Sequence, residues 1–212
     1  MKARSIRLQL SWLLWLGLLG AAACGSAEPR VRLVEDWPTA ASGDYGDVTE
    51  RWTRRARIRG AYQEALELAA TFKSTEWRAA RAEKDASARG LEGEARAQRI
   101  AQARADAAGP YEFQLMLVTW DRRESDLERG AKSAWRVRLL DEQGFEIEPL
   151  EIVKDKRPPL IIHEEFPAYG DFATAYVARF PRTKPLLGPD VRQLRLRVSS
   201  SRGGASLIWQ AP

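Results

Sequence analysis

The sequence predicts a mainly β protein with an α-helical insertion. Runs in which apolar and polar residues alternate fill residues 111–212, and Asp, Gly and Pro separate them at short intervals. Two similar runs occupy residues 52–74. Between these regions, residues 75–108 are rich in alanine, arginine and glutamate, which favour helices. We therefore expect residues 52–212 to form an antiparallel, immunoglobulin-like β-sandwich with a helical hairpin inserted at about residues 75–108.

Residues 1–23 have the three-part pattern of a secretory signal peptide. Lys2, Arg4 and Arg7 precede an apolar core over residues 8–19, and small residues follow up to Ala23. A membrane-spanning helix needs roughly 20 apolar residues, and this core has about a dozen. The segment is therefore expected to be removed.

Cys24, the only cysteine, follows this segment directly. The stretch Ala21-Ala22-Ala23-Cys24 resembles the lipobox of bacterial lipoprotein precursors. The resemblance implies a diacylglycerol on the Cys24 sulfur, cleavage before Cys24, and acylation of the new amino group, and several acyl chains make a stable membrane anchor. Gly25 replaces the aspartate that retains many Gram-negative lipoproteins in the inner membrane, which implies the outer membrane of the cell envelope. The alternative is an ordinary signal peptide with an incidental cysteine and a released protein.

The charge balance argues against a nucleic-acid partner. Removing the three basic residues of the signal segment leaves 31 basic against 29 acidic residues, and the two signs are mixed along the chain. A nucleic-acid-binding domain usually carries a basic patch instead. Because no second cysteine is present, no internal disulfide can form, and stability must come from burial, to which the tryptophans contribute much area.

Residues 24–51 are predicted to be the lipidated cysteine and a flexible tether, because Gly, Ser, Ala, Asp and Pro dominate them. A short alternating piece at residues 31–37 is a possible edge strand. Two strands are then predicted on either side of Gly60, with Leu66, Leu68 and Phe72 facing inward, although a helix competes for either segment.

The inserted helices have recognisable ends. Ser74 can cap the first helix, and Glu76 lies in its positive first turn. Gly90 and Gly93 interrupt the helical pattern, and Gly109 precedes a proline that ends the second helix. The second helix has a narrow face of mostly small residues that could pack on a sheet or on the first helix, formed by Ala97, Ile100, Ala101, Ala105 and Ala108.

Seven further strands are predicted after residue 110. In the first, Phe113, Leu115 and Leu117 face one way, whereas Met116 faces the other and is expected under the helices. The fourth contains the only histidine, His163. The seven runs are YEFQLMLVTW, SAWRVRLLD, FEIEPLEIV, PPLIIHEEF, DFATAYVARF, DVRQLRLRVSS and ASLIWQ.

No set of residues for a known catalytic or metal site stands out. Acyl transfer needs a nucleophile beside a base, but the chain has one histidine and no G-x-S-x-G turn. His163 and Glu165 would share a strand face, yet a zinc site needs three or four ligands and no further His or Cys can complete it. Carboxylates in residues 44–47 lack the spacing of an EF-hand loop, and they are interpreted, with those in 142–151 and 164–171, as solvated faces. We therefore predict no cofactor and no metal.

Two rows of arginines are candidate binding residues, because strand alternation could gather them on a surface. Together they could form a patch that binds lipid headgroups, polysaccharide phosphates or an acidic partner. A salt-bridged outer sheet face is the commoner arrangement. The rows are Arg55, Arg57 and Arg59, and Arg192, Arg195 and Arg197.

Two classes of function remain open. The first is a noncatalytic binding or structural module, anchored to the membrane and associated with an envelope protein partner. The second is an envelope hydrolase that acts on cell-wall glycan through acidic residues. A deep cleft with two convergent acids of shifted pKa would favour the hydrolase, and a filled sandwich without one would favour the module.

Overall fold

The protein consists of nine strands and four α-helices in the residues that the computed structural model describes, which are 28–39, 43–59 and 64–212. The predicted signal segment, Cys24 and the turn at Gly60 lie outside these residues. The strands are β1 Thr53–Arg59, β2 Glu64–Phe72, β3 Tyr111–Thr119, β4 Arg136–Leu140, β5 Glu146–Ile147, β6 Glu151–Lys154, β7 Thr174–Phe180, β8 Gln193–Ser200 and β9 Gly203–Gln210. The α-helices are α1 Tyr45–Arg51, α2 Thr75–Ala88, α3 Gly93–Ala107 and α4 Pro159–Glu165, and short 3-10 turns cover Arg122–Glu124 and Leu127–Lys132.

The strands form two antiparallel sheets, which confirms the mainly β prediction. One sheet has five strands in the order β1-β2-β3-β7-β6, and the other has four in the order β5-β4-β8-β9. The two strands predicted on either side of Gly60 are β1 and β2, which pair directly. Leu66, Leu68 and Phe72 are buried as expected from the alternation.

Both sheets contribute to one hydrophobic core. The ring of Trp209 on β9 lies 5.4 Å from Phe113 and 6.4 Å from Phe72, both in the five-stranded sheet. Phe72 and Phe113 stack at 4.8 Å. The Trp209 indole also donates a hydrogen bond of 2.8 Å to the carbonyl of Trp52. These contacts place the inward face of β3, predicted from its alternation, against the second sheet.

Arg54 is a buried arginine that joins the N-terminal segment to both sheets. Its side chain is 1% exposed, although its neighbour Arg55 faces solvent. The guanidinium donates to the carbonyl of Ile208 on β9 at 2.8 Å, to that of Arg51 at 2.8 Å and to that of Pro29 at 2.5 Å. Because a guanidinium has five N–H donors in a fixed plane, one side chain can satisfy all three carbonyls.

The prediction of a flexible tether over residues 24–51 is wrong for the residues described there. Val31, Leu33, Tyr45 and Val48 are buried in the core, and residues 45–51 form α1. The predicted strand at 31–37 does not form either, because the backbone bonds go to two separate segments. The Val31 amide donates to the Gln210 carbonyl at 2.8 Å, whereas the Leu33 carbonyl accepts from the Gly188 amide at 2.7 Å.

Helices α2 and α3 follow one another between β2 and β3. The Ser74 hydroxyl accepts from the Trp77 amide at 3.1 Å, as predicted for the cap. The predicted small-residue face of α3 is wrong, because α3 buries Ala103 and Ala107 instead. Two ion pairs of 2.6 Å, Arg96 to Glu83 and Arg99 to Asp85, join α3 to α2. The residues of the predicted face that are exposed are Ala97, Ala101, Ala105 and Ala108.

The run PPLIIHEEF is helix α4 rather than a strand. Proline is favoured in the first turn of a helix, where its missing N–H costs nothing, and Pro159 is the first residue of α4. Ile162 and Phe166 are buried one turn apart, whereas Leu160 is 76% exposed. Helical spacing therefore explains the burial and alternation does not. The run FEIEPLEIV, in contrast, holds two strands, β5 and β6, on either side of Pro149.

Candidate binding groove

The outer face of the five-stranded sheet turns away from the core and has a covered half and an open half. In the covered half, Thr53 and Thr71 lie under α1, and the Thr53 hydroxyl donates to the Thr49 carbonyl at 2.7 Å. The Trp77 indole of α2 donates to the Thr49 hydroxyl at 3.1 Å, and the Trp77 ring stacks on Phe166 at 5.5 Å. The helices thus cover the end of the sheet where β1 begins and β2 ends.

A paired cluster of charges lies under these helices. The Lys73 ammonium donates to Glu112 at 2.5 Å, and Arg179 donates to the other Glu112 oxygen at 2.9 Å. Burial alone would raise the pKa of Glu112, but the charge and hydrogen bond of Lys73, together with Arg78 and Arg179, outweigh burial and lower that pKa to about 2. Burial lowers the pKa of Lys73, and Glu112 offsets part of this. Glu112 is therefore ionised at neutral pH, and both of its oxygens accept hydrogen bonds within the protein.

A second buried network holds α4 and the segment before it. Asp155 accepts from the Gln114 amide at 3.0 Å and from Arg157 at 2.6 Å. Glu165 forms ion pairs with Arg157 and with Arg81, and the Tyr45 hydroxyl donates to the Glu165 carbonyl at 2.8 Å. These groups bind one another and link α4 and the segment before it to α1, α2 and β3.

The open half contains a groove of about 510 Å³ where β3 ends and β7 begins. Two aromatic side chains at the groove are largely exposed, Trp120 by 70% and Phe172 by 73%. Strand pairing explains why the two side chains line the same groove. Leu117 pairs with Thr174, so Thr119, the residue before Trp120, is level with Phe172. Arg122 and Asp171 also line this groove.

A hollow of about 260 Å³ continues the groove across β3 and β2 to β1. Both hollows are lined by Glu67, Val118 and Ala173, and the second extends to Arg55 and Arg57. We call the two together the sheet groove. Its volume is in the range of small-molecule sites.

The charges of the sheet groove differ in how they are paired. Arg57 forms an ion pair with Glu67, and Arg55 forms one of 2.6 Å with Glu50. The Arg122 guanidinium lies 5.9 Å from the centre of the Phe172 ring. Asp171 makes no hydrogen bond or ion pair with any residue that the structure describes. Arg122 and Asp171 are therefore available to a ligand.

The predicted arginine rows lie on different sheets. Arg55, Arg57 and Arg59 are on β1, and Arg55 and Arg57 line the sheet groove. The second row belongs to the four-stranded sheet: Arg195 and Arg197 are on β8, and the amide of Arg192, just before β8, donates to Glu142. Arg197 forms an ion pair with Glu146. That the two rows form one patch for an anionic partner stays a prediction.

The carboxylates considered from the sequence are mostly engaged within the fold. Asp44 accepts from the Gly46 amide at 2.9 Å and caps α1. Glu151 pairs with Arg179 at 2.5 Å. His163 is exposed on α4 with its Nδ1 2.9 Å from the Tyr169 carbonyl oxygen. Across residues 28–39, 43–59 and 64–212, no group of three or more His, Cys, Asp or Glu could hold a metal ion.

Four residues of the groove were not among the site residues predicted from the sequence: Trp120, Phe172, Arg122 and Asp171. A signal was present, because Trp120 and Phe172 stand at strand ends next to charged residues. Comparison of the chain with protein-family models, curated proteins and solved structures finds no match. Within the described part of the chain, no helix has the length and apolar character needed to cross a membrane. No activity is carried over from a relative, so function rests on the chemistry of the groove.

Proposed function

We propose that this protein is a noncatalytic binding module of the bacterial cell envelope, anchored in the outer membrane through Cys24, with the sheet groove as its binding site. The observation that carries the binding role is the pair of exposed rings, Trp120 and Phe172, beside the uncommitted Arg122 and Asp171. Large apolar side chains exposed together mark interaction sites, because leaving them in water is unfavourable. The lipobox-like stretch before Cys24 supports the anchor.

The electrostatics of the fold favour a noncatalytic role over the glycan hydrolase. A general acid needs a carboxyl group with a raised pKa. In the described part of the chain, every carboxyl group with a resolved shift has a lowered pKa, and these groups are Glu50, Asp85, Glu112, Asp121, Glu128 and Asp155. Glu67 in the groove is paired with Arg57. Hydrolysis remains a measurable alternative, since Glu67 and Asp171 line the same groove.

We further propose that the two sheets form an immunoglobulin-like sandwich and that α2 and α3 form a helical hairpin inserted into it. The contacts of Trp209 with Phe72 and Phe113 support facing sheets. The ion pairs that link Arg96 and Arg99 to α2 support the hairpin. In this arrangement the sheet groove lies on an outer face, away from the core.

The anchor is tested by expressing the full chain and the variant Cys24→Ala in a Gram-negative bacterium with a clickable palmitate analogue. The wild type should be labelled and should sediment with outer membranes until detergent is added. Cys24→Ala should lose the label and appear in the soluble fraction or as the uncleaved precursor, whereas the control Ser26→Ala should behave as the wild type. Sedimentation and labelling that are the same with and without Cys24 would contradict the proposal.

A further inference from the structure

We propose that the sheet groove binds an uncharged glycan chain, and that its aromatic end at Trp120 and Phe172 is the end farther from the lipid anchor. This inference deepens the proposed binding function and rests on it. The first support is the pair of flat rings. One face of a pyranose ring presents only C–H groups, and such a face packs on an aromatic ring. Trp120 and Phe172 offer two such platforms within one groove.

The second support is the hydrogen-bonding chemistry beside the rings. Sugar hydroxyls donate to carboxylates and accept from guanidinium groups, and Asp171 and Arg122 supply one of each. Asp171 has no partner among the described residues, and Arg122 only contacts the Phe172 ring. Most other charged side chains of the fold are paired, as Arg55 and Arg57 are. The groove thus combines apolar platforms with uncommitted polar groups.

The third support is the charge balance, which decides between a neutral and an anionic chain. Arg57 is matched by Glu67 and Arg55 by Glu50, while Arg122 is balanced by Asp171 in the same groove. A site for a polyanion needs an excess of basic side chains to compensate for the repeated negative charge. The lining holds three arginines against Glu67 and Asp171, and Glu50 beside the groove pairs with Arg55. No net excess of basic charge remains, so a neutral polyhydroxylated chain is the matching ligand.

The position of the groove relative to the anchor agrees with this ligand. Arg54 binds the Pro29 carbonyl at the start of β1, whereas Leu66 pairs with both Ile58 and Thr119, so Trp120 lies level with the end of β1. Five residue steps along a strand span about 17 Å. Cys24 precedes Glu28 by four residues, which reach about 14 Å at most. The Trp120 end of the groove is therefore the end farther from the anchor, whereas its Arg55 end lies beside the segment that the anchor precedes.

The test uses the full processed protein in detergent and isothermal titration calorimetry. The probes are the neutral tetrasaccharides of N-acetylglucosamine, glucose, galactose and mannose, with tetragalacturonate as the anionic probe. We expect at least one neutral probe to bind more tightly than tetragalacturonate. Trp120→Ala and Phe172→Ala should each weaken that binding about tenfold. Trp120→Phe should retain most of it, because a flat ring remains.

Phe145→Ala is the matched control, because Phe145 is an exposed aromatic residue outside the groove, packed on Lys184. The Phe145→Ala variant should bind the neutral probe with the same affinity as the wild type. The inference is overturned if no neutral probe binds, if tetragalacturonate binds best, or if Phe145→Ala weakens binding as much as Trp120→Ala. Membrane localisation does not enter this assay, so its failure is separable from failure of the anchor. Mass spectrometry of the probes afterwards would reveal cleavage, which would contradict the noncatalytic role while leaving the groove as the site.

Discussion

Replacing Arg54 with methionine keeps an unbranched side chain but removes the donors that bind Ile208, Arg51 and Pro29. These three carbonyls lie at partly buried sites. A carbonyl that loses its donor where water cannot replace it costs about 1–3 kcal/mol, so three would cost at most roughly 3–9 kcal/mol. The variant also avoids the cost of burying a guanidinium, which offsets part of this loss. Because water can reach part of these sites, we expect Arg54→Met to lose about 3 kcal/mol, the lower end of this range.

The assay is urea unfolding followed by circular dichroism, with Arg55→Met as the matched control. Arg55 is next in sequence, and its pair with Glu50 is exposed, with 53% and 60% of the two side chains accessible. Such surface pairs contribute less than about 1 kcal/mol. The stability loss of Arg54→Lys should lie between those of Arg54→Met and Arg55→Met, since an ammonium cannot reproduce the planar set of donors. A free energy of unfolding for Arg54→Met within about 1 kcal/mol of that for Arg55→Met would refute the proposed role of Arg54.

Two further predictions concern the covered half of the sheet face and α3. The pKa of Glu112 is about 2 in the folded protein against an ordinary 4.5. The ionised carboxylate therefore contributes about 3 kcal/mol to the free energy of unfolding above pH 5, and this contribution is lost as the pH falls toward 2. Glu112→Gln should therefore lower stability at pH 7 and flatten the acid dependence of urea unfolding, and parallel curves for the two proteins would contradict this. Ala103→Arg should cost at least about 2 kcal/mol because it places a charge at a buried site, whereas Ala101→Arg should change stability by less than about 0.5 kcal/mol. The reverse order in thermal melts would show that the face predicted from sequence is the packed one.

Alternation of apolar and polar residues predicted the strands whose two faces differ, such as β3 and β8. It failed at residues 159–165, because a short apolar run bounded by polar residues is compatible with either period. The packing of Ile162 and Phe166, which no local pattern reveals, decides for the helix. Tertiary contacts likewise override composition at Val31 and Leu33, where a polar segment is held in the core.

The sheet groove could not be predicted because its parts are far apart in sequence. Trp120 and Phe172 become neighbours only through the pairing of β3 with β7, and the register of that pairing is a tertiary property. The arginines of β1 were recognisable as an outward row, but their partners Glu50 and Glu67 were not assigned to them. Residue types thus indicated candidates, and the topology decided which of them share a site.

The most direct test of the binding groove is a titration followed through the tryptophan indole N–H signals in a ¹H-¹⁵N NMR spectrum. Trp120 is 70% exposed at the groove, whereas Trp52, Trp77, Trp135 and Trp209 are buried. Adding the neutral tetrasaccharide that binds in calorimetry should shift the Trp120 signal, assigned through Trp120→Phe, and leave the signals of these buried tryptophans in place. A titration that leaves the Trp120 signal unmoved at saturation would contradict the assignment of the sheet groove as the binding site.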